Sequence, residues 1–167
     1  MVKEKKKILD NDQVEQILKR MAYQIYEQNY QADMIHLFGV AQNGLRLAQS
    51  IEKEISQISE IQTSCVLVDI DKSARSQPDL AHVALPEGKD LTIVVVDDVL
   101  NSGRTMIYAL EPFLKLNLAK LQTCVLVNRA HKRFPVEVDY KGLELGTTIE
   151  EHIEVQLEKG NFSAYLY

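Results

Sequence analysis

The chain has 167 residues, 46% hydrophobic and 26% charged, with a formal net charge of -5 at pH 7. That size and apolar content suit one domain, 1–167, with a substantial core, and the acidic total argues against nonspecific nucleic-acid binding. No run approaches the roughly eighteen apolar residues of a membrane helix, and no apolar stretch follows the charged start MVKEKKKILD; a cytoplasmic protein without a membrane partner is expected. Cys65 and Cys124 each lie in an apolar segment and read as buried thiols, with no zinc-type spacing.

In chain order, Val14, Ile17, Leu18, Met21, Ala22 and Ile25 recur at helical spacing behind Asp10, which with Gln13 has the pattern of a capping box. MIHLFGV, residues 34–40, reads as a strand, AQNG as a tight loop, and Leu47, Ala48, Ile51, Ile55 and Ile58 as a second helix. CVLVDI, residues 65–70, is another strand. The polar, proline-containing interval up to Asp90 is long enough to be a lid. Leu91 to Val96 contains a run of β-branched residues with no alternation, which suits the centre of a parallel sheet covered on both faces. A helix from about Gly103 to Leu116 follows, and Pro112 should kink or end it early. LQTCVLV is a further buried strand, NRAHKRFP a basic loop, and DYKGLEL and HIEVQLE short strands. Strands alternating with helices predict an α/β fold: a mainly parallel twisted sheet with helices on both faces.

The chemistry concentrates where the central strand ends, in VVVDDVLNSGRT. Ligands in open α/β sheets bind at the carboxyl ends of strands. Small residues there let a backbone approach a phosphate, with free N–H groups and the hydroxyls of Ser102 and Thr105 as donors. Two carboxylates beside a phosphate make sense if they accept hydrogen bonds from ribose hydroxyls. A sugar phosphate satisfies both halves. An acidic pair also occurs in phosphoacceptor receiver domains, but there it lies on the first strand; here two strands precede it.

VVVDDVLNSGRT resembles the signature of type I phosphoribosyltransferases. KKILDNDQVEQILKRMAYQI, LFGVAQNGLRLAQSI and CVLVNRAHKRFPVEVDYKG are similar, in order and spacing, to the pyrimidine-operon attenuator proteins that are also uracil phosphoribosyltransferases. The resemblance implies phosphoribosyl pyrophosphate and a nucleobase as substrates. By position, Asp97 and Asp98 would be the catalytic acids holding the ribose hydroxyls. Asn101, Ser102, Gly103, Arg104 and Thr105 would form the rest of the ribose and 5'-phosphate site. Ala41, Gln42, Asn43 and Gly44 would be the pyrophosphate loop, which in the family adopts an unusual backbone geometry. Residues 71–88, with Lys72 and Arg75, would be a flexible hood, and Asn128 and Arg129 would lie on the base side. The cofactor implied is Mg2+, bound mainly through the substrate, with no direct protein ligand. A homodimer or larger assembly is implied as well.

Three departures from the family stand out. The loop AQNG is neutral where the attenuators carry a basic residue, so a charge-assisted contact is missing, although Arg46 lies just beyond. The hood is shorter than theirs. Asn101 replaces their tyrosine and the catalytic aspartate of purine-using relatives; an amide cannot accept a proton at neutral pH, which points to uracil and away from purines. The alternative that the resemblance leaves open is an RNA-binding regulator of pyrimidine genes with little catalytic activity, whose partner would be RNA. In the first helix Lys19 and Tyr23 stand where the family uses threonine and histidine for RNA, with Arg20 between them, and this weakens the expectation of RNA binding. In the basic cluster of Arg129, His131, Lys132 and Arg133, the last two are read as a solvated loop.

Overall fold

In the computed structural model, which describes residues 4–73, 79–129, 131–146, 148, 151–158 and 160–167, the apolar run of the central strand has helices on both sides. The elements are β1 (Lys6–Leu9), α1 (Asn11–Asn29), β2 (Met34–Val40), α2 (Ala41–Ile58), β3 (Gln62–Val68) and β4 (Leu91–Leu100). They continue as α3 (Arg104–Leu110), a 3-10 turn (Glu111–Lys115), β5 (Leu118–Arg129), β6 (Tyr140–Leu145), β7 (Ile153–Glu158) and β8 (Asn161–Leu166). Five strands form a parallel sheet in the order β3-β2-β4-β5-β6.

Every residue of β4 is buried, which is why its sequence lacks alternation. Val94 and Val96 join the core beneath α1 and α2, while Ile93 and Val95 join a second core with Met106, Ala109 and Phe113. Helices therefore cover both faces, as the pattern predicted. On the second face the rings of Phe38 and Phe113 meet edge to face, with centroids 4.6 Å apart.

The local signals explain most boundaries. Asp10 accepts from the Gln13 N–H at 2.9 Å, and the Gln13 side chain accepts from the Asp10 N–H at 3.0 Å, closing the capping box of α1. Pro112 marks the change of winding: α3 stops at Leu110, and the proline sits in the first turn of the 3-10 segment, where its missing N–H costs no helical bond. No helix among the described residues is long and apolar enough to cross a membrane.

Two features differ from expectation. The tight loop after β2 does not exist as a separate element: Val40 caps α2 without a side-chain bond and the helix starts at Ala41. The strand read at HIEVQLE leaves the main sheet and joins a three-stranded antiparallel sheet, β1-β8-β7, whose other two strands were not foreseen. KKIL is too short and too charged to carry a pattern alone, and it becomes a strand by pairing with β8 at the far end of the chain, Lys6 with Leu166 for example; β8 also pairs along its length with β7, which precedes it.

The chain passes from β2 outward to β3, then returns to place β4 on the other side of β2 before moving on to β5. The order of winding thus reverses between β2 and β4. This is the switch point at which a crevice opens beyond the carboxyl ends of the strands.

Candidate active site

Two strand-to-helix passages meet at that crevice. After β2, Ala41 has φ +53, and Gly44 comes so close to β4 that a Cβ there would lie 2.6 Å from the Val96 carbonyl oxygen. The absence of a side chain at Gly44 brings α2 down onto β4 one residue before Asp97. Asn43 is thereby placed on the acid pair, donating from Nδ2 to Asp98 Oδ2 at 2.8 Å and to the Val155 carbonyl at 3.1 Å. The small sheet reaches the crevice through this contact.

After β4, Gly103 takes φ +86 as the cap of α3, a conformation glycine adopts without strain. The basic loop clamps this turn with its backbone, because the N–H groups of Arg133 (2.8 Å) and Phe134 (3.0 Å) both donate to the Ser102 carbonyl. The side chains of His131, Lys132 and Arg133 are exposed. A cleft of about 410 Å3 lies over the turn, lined by Asp97 and Asp98, by Asn101 to Thr105, and by Lys72, Tyr108 and Ile153. Thus the acid pair and all of Asn101, Ser102, Gly103, Arg104 and Thr105 share one cavity.

Asp97 and Asp98 are almost wholly buried, at 2% and 8% exposed. Their Oδ1 atoms accept backbone bonds of 2.8 Å from the Asp98 and Val99 N–H groups, respectively. Lys72 lies across both: its Nζ donates to Asp97 Oδ1 and, at 2.7 Å, to Asp98 Oδ1. Burial pushes the Asp97 carboxyl up to about 8; Lys72 opposes the shift and the neighbouring Asp98 adds to it. Burial acts on Asp98 in the same sense, but Lys72 and the donors around it, Asn43 included, bring it below the usual carboxylate value. Lys72 itself is raised, because the two carboxylates outweigh its desolvation. Both acids share the ammonium, yet Asp98 is the acid held ionised, because it has the larger set of donors.

The base-side residues stand one step back. Neither Asn128 nor Arg129 lines the cleft. Arg129 donates to Asn101 Oδ1 at 2.9 Å and to the Thr148 carbonyl at 2.8 Å, so it acts on the cleft through Asn101. Because a guanidinium only donates, the bond fixes the amide with its NH2 group turned away from Arg129. Asn128 donates to Glu144 at 3.1 Å, and its own Oδ1 is buried with no partner. Gln42 is exposed beside the loop, and Arg75 lies outside the described residues. Burial raises both thiols, Cys124 to about 12 and Cys65 further, so neither is a ready nucleophile.

Sequence reasoning missed Tyr108 and Ile153. Tyr108 had a signal: it falls four residues after Arg104, and the guanidinium lies 5.7 Å from the ring centroid. Ile153 had none, because it arrives from the small sheet. For a metal, the described residues contain no group of three or more His, Cys, Asp or Glu side chains placed to hold one. Lys72 engages both members of the acid pair.

The same arrangement of strands and helices occurs in phosphoribosyltransferases of known structure. The hypoxanthine-guanine phosphoribosyltransferase of Bacillus anthracis superposes with a TM-score of 0.72 at 18% identity, over 90% of this chain and 86% of that one. The hypoxanthine phosphoribosyltransferase of Trypanosoma cruzi gives 0.70 at 15% identity, over 84% and 81%. These likenesses show the fold, that of the type I phosphoribosyltransferases. Residues 4–159 match the phosphoribosyl transferase domain family. The Bifunctional protein PyrR of Haemophilus ducreyi is 31% identical over 161 residues, covering 90% of this chain and 89% of the relative. The Pyrimidine operon regulatory protein of Lactococcus lactis subsp. lactis is 32% identical over 162 residues, covering 93% and 91%. The chain belongs to the PyrR family of phosphoribosyltransferases, and its domain is a glycosyltransferase catalytic domain.

Proposed function

We propose that this chain is a regulator of pyrimidine genes built on a phosphoribosyl-binding site, with transfer of the phosphoribosyl group to uracil as a slow activity of that site. The single observation that carries the site is the convergence of Asp97, Asp98 and the Asn101–Thr105 turn on one cleft. The carboxylates accept from the ribose hydroxyls, and the turn receives the 5'-phosphate. Bond making joins a ring nitrogen of uracil to C1' as the bond from C1' to pyrophosphate breaks; the base loses its proton to solvent. Magnesium, when bound, would be held mainly through the substrate's own oxygens and would supply positive charge for the departing pyrophosphate.

What supports the regulatory emphasis is the relative named for operon regulation, together with two features that work against fast transfer. The first turn of α2, Ala41–Gly44, has no cationic side chain for pyrophosphate, and an ammonium already engages the acid pair. RNA is the partner in this reading. On α1, Lys19 and Tyr23 replace the threonine and histidine that the family uses for RNA, but both are exposed and keep a cation and an aromatic ring on one surface, while Arg20 is spent on the carbonyls of Lys141 and Gly142.

A second reading, uracil transfer as the main role, is favoured by the completeness of the acid pair and phosphate turn. The two separate in one experiment. Product from labelled phosphoribosyl pyrophosphate is measured with uracil, hypoxanthine and guanine, and RNA binding is titrated at two salt concentrations. The first reading expects slow, uracil-selective turnover and RNA binding that weakens with salt. Fast uracil turnover with no RNA binding would establish the second, and efficient guanine turnover would overturn the base in both.

A further inference from the structure

Lys72 stands on two of the four carboxylate oxygens that the phosphoribosyl reading offers to a ribose. Both Oδ1 atoms of the acid pair already accept one backbone N–H each, and the ammonium is the second donor on each of them. A carboxylate oxygen has two lone pairs, so these two atoms are saturated while Lys72 is in place. The remaining oxygen of Asp98 accepts from Asn43. Lys72 lies in the cleft wall with its side chain 34% exposed, so its head group can return to water without any part of the core being opened. Its own turn is held separately, by Asp71 Oδ1 accepting from the Ser73 N–H at 2.9 Å and the Ser73 hydroxyl at 2.6 Å.

We propose that Lys72 is an internal competitor: its ammonium occupies the acceptors of Asp97 and Asp98 in the free protein, and a ribose diol binds by displacing it. The inference rests on the phosphoribosyl reading of the cleft. It extends that reading by making the affinity for a ribose ligand depend on a residue whose role is to be removed. A neutral substitution at Lys72 then strengthens binding of any ligand whose hydroxyls use the acid pair. It leaves unchanged a ligand that is held by the phosphate turn alone. A lysine that served only as a phosphate contact would do the reverse, weakening both ligands alike.

The test has one arm without ligand and one with it. In the free chain, reductive methylation followed residue by residue should modify Lys72 slowly compared with exposed Lys19, and Asp97→Asn or Asp98→Asn should speed it. Lys72 reacting as fast as Lys19 in the unaltered chain overturns the competitor and leaves the functional reading intact. In the second arm, uridine 5'-monophosphate and its 2',3'-dideoxy analogue are titrated into the unaltered chain and into Lys72→Gln and Lys72→Met. Both variants should bind the ribonucleotide about fivefold or more tightly, with the dideoxy nucleotide unchanged. Equal weakening of the two nucleotides assigns Lys72 to phosphate and overturns the competitor. Slow methylation with no nucleotide binding to any form, tested also with phosphoribosyl pyrophosphate and magnesium, overturns the phosphoribosyl reading and the competitor with it.

Discussion

Two passages from strand to helix flank the cleft, and each turns on a residue with positive φ, but they obtain it differently. After β4 the residue is Gly103 at +86, which carries no steric penalty; after β2 it is Ala41 at +53, where a Cβ crowds the following carbonyl at a cost of about 1–2 kcal/mol. The first turn is relaxed and rich in donors. The second is strained, neutral, and held down by the close approach of Gly44 to β4. Strain at a ligand loop persists because the surrounding packing over-determines it, and here that packing also delivers Asn43 to Asp98. In the proposed function the β4 side carries the binding chemistry, and the β2 side positions Asn43.

The largest expected effect follows from that division. Replacing Asp97 and Asp98 together with Asn should cut phosphoribosyl transfer by about a hundredfold or more, the scale of losing a preorganised electrostatic contact; unchanged turnover would move the chemistry away from β4. Next in size is Gly44→Ala. Its methyl group meets backbone, not a flexible side chain, so the variant should lose about 1–3 kcal/mol of stability in a denaturant titration.

The two positive-φ residues should then respond with opposite signs. Gly103→Ala forces a side chain into a left-handed conformation close to the Phe134 carbonyl and should destabilise by about 1–2 kcal/mol. Ala41→Gly relieves strain and should be neutral or stabilising by up to about 1 kcal/mol, partly offset by the greater freedom of glycine in the unfolded chain. Thermal unfolding of both variants checks this, and destabilisation by Ala41→Gly would remove the claim of strain after β2.

A further effect is in the pH dependence, where burial of Asp97 outweighs the opposing Lys72 ammonium. Asp97 in the folded state holds its proton up to about pH 8, while in the unfolded chain it releases it near the ordinary carboxylate value, roughly 4. Between those limits the folded form binds more protons, so this group makes stability fall as pH rises. Asp97→Asn removes that slope, and its stability relative to the unaltered chain should improve from pH 5 to pH 8. Asp98, lowered by its donors, contributes stability above the unfolded value that is lost as pH falls through the folded one. Asp98→Asn should therefore cost more at pH 7 than at pH 3.

Much of this molecule is legible residue by residue. The capping box at Asp10, the doubly buried strand at residues 91–96, the early end of α3 at Pro112 and the acid pair followed by a small-residue turn are local patterns, each set by periodicity, a missing N–H or a side chain within a few residues of its partner. The antiparallel sheet is local only in its β7–β8 pairing. Its strands β1 and β8 lie at opposite ends of the chain, and a four-residue charged strand is stable only through hydrogen bonds to a partner that folding alone supplies. The same holds for what completes the cleft. Ile153 comes from the small sheet, Asn43 reaches Asp98 because Gly44 lets α2 sit on β4, and Arg129 acts through Asn101. Lys72 could be read from the sequence as a nearby cation. Its choice of the two carboxylates was decided by tertiary structure, because burial makes unpaired acids costly and Lys72 is the cation placed on both.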